Sequence, residues 1–287
     1  MNPMLDEPNL ALLFVKALVG QTANYFIVVG LVFLLVWKVG VRGLASRRIP
    51  TRFDFNTAQV KREVLNTVVT LAIGTVSGVI IMTMYKNGST RLSTGDDWTV
   101  LESLGALVGL LLFNDAWFYW WHRLLHHPTL FKYVHAVHHR SVDVNPFTSY
   151  SFHGVEGFIL GAWSIPLALF VPMSVKVLMA AQVVGLANNV ISHLGYELLP
   201  KWWVRVSPLK WTSSATFHSL HHSTFNGNYG LMTRFWDRLM GTEVATYEQV
   251  FVKRSESGAS SVEPAAERGA PPGRATGQEN INGDTSV

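Results

Sequence analysis

The stretch 117-WFYWWHRLLHHPTLFKYVHAVHH-139 joins the end of an apolar run to the start of a histidine-rich one. Its five consecutive aromatic residues, Trp117 to Trp121, read as the belt where a membrane helix leaves the lipid. Upstream, Val100–Trp121 carries only Glu102 near one end and Asp115 near the other. That length suffices to cross a roughly 30 Å hydrocarbon core as a helix. Ala17–Trp37 and Val64–Tyr85 hold no charge at all and read the same way. Gly157–Ser192 is interrupted only by Lys176, Pro166 and Pro172, and is short for two full crossings. It reads as a helical hairpin that dips in and returns, or as two tight spans.

Composition agrees. Of 287 residues, 48% are hydrophobic and 15% charged, against about 25% charged in a soluble domain. Cysteine is absent. That excludes disulfides, thiolate zinc sites, iron–sulfur clusters, thiolate-ligated haem and a cysteine nucleophile. The net charge of +4 sits beside apolar runs. This suits a membrane face rather than a nucleic acid, and no nucleic-acid partner is expected. The fold class is therefore an all-α integral membrane protein. It has about four transmembrane helices, or three plus a hairpin, and a helical cap.

Basic residues set the expected orientation. The loop Arg42–Glu63 holds Arg42, Arg47, Arg48, Arg52, Lys61 and Arg62, whereas Lys86–Thr99 holds only Lys86 and Arg91. The positive-inside rule puts the first loop in the cytoplasm. The N-terminus is then outside, and the cap and C-terminus are cytoplasmic. The acidic N-terminal segment carries no expected cleavable signal. Residues 1–252 read as one membrane-embedded domain. Residues 253–287, rich in Ser, Gly, Glu, Ala and Pro, read as a disordered tail.

All 11 histidines fall between His122 and His222, a clustering with a random chance on the order of 10⁻⁵ that demands a cause. His122 and His126 form H-x3-H. His135, His138 and His139 form H-x2-H-H, and His218, His221 and His222 form a second. Residues three and four apart share a helix face, so each box is expected to aim its imidazoles one way. Neutral imidazole ligates iron, zinc and copper. Eight box histidines plus His193 exceed one ion's capacity, so two metals are the economical solution. His153 stands outside the boxes as a further candidate, while His127 points off the shared face. Asn189, four residues before His193, is a candidate to hold a water on a metal. Asp115, seven residues before His122, and Glu156, three after His153, are candidates to orient ligand histidines.

Several patterns are missing. There is no H-E-x-x-H, no glutamate followed three residues later by histidine, no G-x-S-x-G and no G-x-G-x-x-G. Zincin proteases, soluble di-iron carboxylate sites, hydrolase elbows and recognisable nicotinamide or flavin loops are not expected. Reducing electrons would then come from another protein. A histidine-rich membrane metal transporter or metal-binding protein is the alternative class. It would need ligands along a path through the bilayer, and the boxes gather at one face instead.

The Trp117–His139 stretch, with NPFTSYSFHGVEGF, HSLHHSTFNGNYG and FWDRLMGT, resembles the fatty acid hydroxylase/sterol desaturase superfamily over about Val100 to Thr242. The sterol C5-desaturase-like branch, in a bacterial-type member, is the nearest in pattern. Where that branch reads P-F-A-S-H-x-F-H-P-V-D, this chain has Tyr150 for a histidine, Gly154 for a proline and Glu156 for an aspartate. The resemblance implies a membrane-bound non-haem di-iron oxidoreductase. It would use O₂ as cosubstrate to hydroxylate or desaturate a lipid C–H bond, with electrons from a cytochrome b5-, ferredoxin- or reductase-type donor. It assigns the metal ligands to His122, His126, His135, His138, His139, His218, His221 and His222, with His193 and His153 as additional positions.

Overall fold

The computed structural model describes residues 9–49 and 56–256. Its first helix, α1 (Leu10–Phe33), begins where the Asn9 side chain accepts from the backbone N–H of Ala11 and Leu12. It continues as a π-helical segment to Val39. In the same way Asn56 caps α2 (Thr57–Lys86) by accepting from Ala58 and Gln59. Thr99 and Glu102 form a capping box that starts α3 (Val100–Leu125). Such caps satisfy the free N–H groups of a helix start.

Then come α4 (Gly154–Gly161), α5 (Ser164–Phe170) and α6 (Val175–Ser192). The turn before α6 holds a two-residue strand, Met173–Ser174, paired in parallel with Leu92–Ser93. The cap carries α7 (Ala215–Thr224), α8 (Phe235–Met240) and α9 (Tyr247–Ser255).

Four helical stretches are long and apolar enough to cross a membrane: Leu10–Val39, Thr57–Lys86, Val100–Leu125 and Val175–Ser192. Two of these have 30 residues, about 45 Å at 1.5 Å per residue, which exceeds the hydrocarbon core. They are longer than the charge-free runs expected at Ala17–Trp37 and Val64–Tyr85, because a helix ends at its caps rather than at its first charge. The fourth apolar region is a hairpin: the short apolar arm Gly154–Phe170 descends and α6 returns.

The surface is inverted relative to a water-soluble protein. On α3, Leu101, Leu104, Val108 and Leu112 are exposed in register, a continuous apolar face. Inward faces carry polar links, such as the Thr75 hydroxyl donating to Gln21 between α2 and α1. Leu110, Trp163, Met173, Val177 and Ala181 form one buried cluster, and Tyr25, Val29, Leu71 and Val190 another.

The hairpin fixes which helix ends meet. The start of α2 and the ends of α1, α3 and α6 lie at one end of the bundle. Trp37 donates from its indole to the Leu194 carbonyl (2.8 Å), and Gln59 donates to the Asp143 carbonyl (2.7 Å). The expected tail boundary at residue 253 falls inside α9. That helix runs to Ser255 because Phe251 and Ser255 are buried on its inner face. The remainder of that expectation, residues 257–287, lies outside the described residues.

Candidate metal centre

Nine histidines meet at that end. His122 comes from the last turn of α3 and His126 caps it. His135 ends a π-helical turn, Phe131–His135, which runs into the short helix Ala136–His139 bearing His138 and His139. His193 caps α6, and His218, His221 and His222 project from α7. All are buried except His126, which is partly so.

The nitrogens sort into two groups. His122, His126, His135, His139 and His221 form one; His138, His193, His218 and His222 form the other; within each, the candidate ligand atoms lie within 4.8 Å of one another. In the first group the Nε2 separations are 3.0 Å (His122–His135), 3.0 Å (His135–His139), 3.1 Å (His139–His221) and 3.2 Å (His221–His126). In the second they are 3.4 Å (His138–His193), 3.0 Å (His193–His218) and 3.2 Å (His218–His222).

Tautomers decide what these distances mean. His122 donates its Nδ1–H to the Tyr229 carbonyl (2.6 Å), His221 to Gly227 (2.8 Å), His193 to Asn189 (2.8 Å) and His138 to Ser151 (3.3 Å). His135 donates to the Glu156 carboxylate (2.7 Å). With Nδ1 protonated and the ring neutral, each Nε2 carries only a lone pair. Lone pairs facing each other at 3.0 to 3.4 Å repel unless a cation lies between them. Around an ion with nitrogen bonds of about 2.1 Å, octahedral and tetrahedral edges run from about 3.0 to 3.4 Å. Both donor sets therefore fit a metal ion.

Burial keeps the rings in the required neutral form. Desolvation is the first cause, with repulsion between neighbouring imidazolium forms adding for most. Together they push His126 down to about 3 and His193 to about 4. His135, His138, His139, His218, His221 and His222 lie well below the ordinary histidine value.

Some expectations need correction. The boxes do not each aim in one direction. The i, i+4 pairs His135/His139 and His218/His222 stay together, but His138 and His221 cross to the opposite group. Consecutive helical residues point about 100° apart, so each His-His doublet gives one ligand to each side. His153 joins neither group. It caps α4, its Nδ1 accepting from Val155 N–H (3.2 Å).

Asp115 touches no histidine. It accepts from the backbone N–H (2.9 Å) and hydroxyl (2.6 Å) of Thr233, because the loop after α7 folds back across α3. Glu156 contacts His135, a member of the five-histidine group. Asn189 donates its amide to the Ser149 carbonyl (2.9 Å), and its Oδ1 is buried without a partner.

Sequence reasoning missed the carbonyls. Gly227 and Tyr229 orient His221 and His122 from the turn Asn226–Gly230. Asp237 holds that turn, accepting from Tyr229 N–H (2.9 Å) and Gly230 N–H (2.7 Å). Gly227 has φ +93, and a Cβ there would meet the Thr242 carbonyl at 2.6 Å. Only glycine suits this place. The Asn-Gly pair was the available clue to a turn.

Comparison with known proteins gives a consistent picture. Residues 107–242 match the family model described as fatty acid hydroxylase. Methylsterol monooxygenase 1 of Gallus gallus is 33% identical over 172 residues, covering 58% of this chain and 55% of that protein. The Delta(7)-sterol 5(6)-desaturase of Leptosphaeria maculans is 33% identical over 141 residues, covering 49% and 37%. A Delta(7)-sterol 5(6)-desaturase of Gibberella zeae is 28% identical over 208 residues, covering 70% and 61%. The chain thus spans about half the length of the curated relatives it matches. No solved structure matches it.

Proposed function

We propose that the chain, whose residues 107–242 match the fatty acid hydroxylase family model and which is similar to sterol desaturases and methylsterol monooxygenases, is a membrane-bound oxidoreductase that hydroxylates or desaturates a lipid C–H bond with O₂ at a pair of iron ions. The observation that carries this reading is the pair of histidine groups, in each of which two Nε2 atoms with their Nδ1 protons held elsewhere face one another. His122, His126, His135, His139 and His221 would hold one ion, and His138, His193, His218 and His222 the other. Bound iron supplies the activation of O₂ that oxidation of an unactivated C–H bond requires.

The chain's residues do the rest. Carbonyls of Ser151, Asn189, Gly227 and Tyr229 hold the Nδ1 protons and so fix each ring's tautomer and direction. Glu156 holds the proton of His135 and is, among the described residues, the carboxylate in direct contact with a ligand histidine. Asn189 Oδ1, buried and unpaired, offers an acceptor for an ordered water beside His193. Burial of both groups keeps bulk water out. The apolar helices below bring a lipid substrate to the centre from within the membrane.

By the positive-inside argument the histidines and the C-terminal cap face the cytoplasm, where an external donor protein delivers electrons. Residues 1–252, extended by the end of α9, act as one membrane-embedded oxygenase unit.

The test is lipid mass spectrometry of cells with and without the protein. The reading expects a lipid that gains one oxygen or loses two hydrogens, and that reverts with the His138→Ala variant. Unchanged lipids in cells whose protein carries iron would overturn it.

A further inference from the structure

An acidic side chain outside the matched region 107–242 lies buried against the histidine scaffold. Glu63, in the second turn of α2, is 0% exposed. Gln59, Glu63, Asn66 and Thr70 recur at helical spacing, which gives an otherwise apolar helix one polar face. That face meets the segment between the second histidine box and α4.

Glu63 sits at the middle of the contact. Its Oε1 accepts from the Thr148 hydroxyl (2.8 Å) and the Gln59 amide (2.9 Å), and its Oε2 accepts from the Asn145 amide (2.8 Å). The donor directions are forced. The Thr148 oxygen accepts from Asn145 N–H and turns its hydrogen to Glu63, and the Gln59 nitrogen, which also meets the Asp143 carbonyl, can only donate. The Asn145 Oδ1 already accepts from Phe147 N–H, so its NH₂ faces Glu63. Only a group that accepts in every direction satisfies all three, which a carboxylate does and an amide does not.

The turn so held leads to the metal centre. The Thr148 carbonyl accepts from Ser151 N–H (3.0 Å), and Asn66 donates to the Ser151 hydroxyl (3.2 Å). The Ser151 carbonyl then accepts the Nδ1 proton of His138, a member of the four-histidine group. The equivalent carbonyls for His122 and His221 come from the turn after α7, far from α2 in sequence.

We propose that Glu63 is a positioning residue for the four-histidine group: its carboxylate fixes the turn 145–151, and the Ser151 carbonyl passes that fix to His138. This rests on the two-ion reading above. An arm of the protein outside the matched domain would then set the occupancy of one half of the centre.

The experiment measures iron per chain in full-length protein purified from iron-fed cells, with gel filtration to report folding. Wild type is expected to hold about two ions and Glu63→Gln about one, the ion held through His138 being the one lost. Glu63→Gln/His138→Ala should hold no less than His138→Ala alone, since both remove the same ion. The reversed pair, Glu63→Gln/Asn145→Asp, restores every donor–acceptor match. The new amide at position 63 donates to the new carboxylate at position 145, and its oxygen still accepts from Thr148 and Gln59. This pair should regain the second ion.

A Glu63→Gln chain as full as wild type overturns the proposal, and so does a reversed pair that stays depleted. Should Glu63→Gln fail to fold, the reversed pair decides in the same way. A wild-type chain holding no second ion would instead sink the two-ion reading itself.

Discussion

At the residue scale, Glu156 and nine histidines make up the candidate centre. The bond from His135 Nδ1 to Glu156 is fully buried, and such a partner fixes both ring direction and ligand basicity. Glu156→Gln keeps the volume but weakens the acceptor. It should reduce iron affinity or turnover by about 10- to 100-fold, read as competition with a chelator of known affinity.

The histidines also predict an acid limit. Their folded-state values are depressed, so the unfolded chain binds more protons, and stability of the metal-free protein rises with pH. Their contribution is fully present above about 6.5 and is lost as pH falls toward about 4 for His193 and about 3 for His126. His193 alone costs on the order of 2 kcal/mol at pH 5. Thermal unfolding of chelator-treated protein at pH 7.5 and pH 5 should show this drop, and equal midpoints would refute it.

At the scale of elements, α3 is anchored to the cap by a carboxylate. Asp115 takes both the backbone N–H and the hydroxyl of Thr233. Removing a buried acceptor leaves its donors unpaired, at about 1–3 kcal/mol. Asp115→Ala should therefore lower the unfolding midpoint while leaving iron content near wild type, because no ligand histidine touches it. Equal stability would show that this anchor does not hold the cap.

The sequence revealed the spans and the three boxes because apolar length and imidazole spacing are local signals. It did not reveal how the boxes divide between two sites. That division depends on where α3, α6 and α7 end relative to one another. His138 and His221 point to the opposite group from their own box partners, and no spacing rule within one helix contains that information. The same holds for Gly227, Tyr229 and Ser151, whose functional atoms are carbonyls that every residue possesses. His153 misled for a related reason: a histidine at a helix start can spend its ring on the cap.

At the scale of the whole molecule, the hairpin formed by Gly154–Phe170 and α6 lets the segments that bear the two histidine groups meet at one end of the bundle. The basic loop before α2 predicts that this end is cytoplasmic. The chain contains no cysteine, so single cysteines report sidedness cleanly. An impermeant thiol reagent added to intact cells should label Ser89→Cys, between α2 and α3, and spare Ala245→Cys in the cap. The opposite pattern would reverse the orientation.

The most direct test of the binuclear centre counts metal against chosen ligand deletions. Full-length protein from iron-fed cells should contain about two iron ions per chain. His135→Ala/His221→Ala should lose the ion of the five-histidine group, and His193→Ala/His218→Ala the ion of the four-histidine group, each variant keeping the other. One ion per wild-type chain, or full occupancy in both variants, would contradict the centre described here.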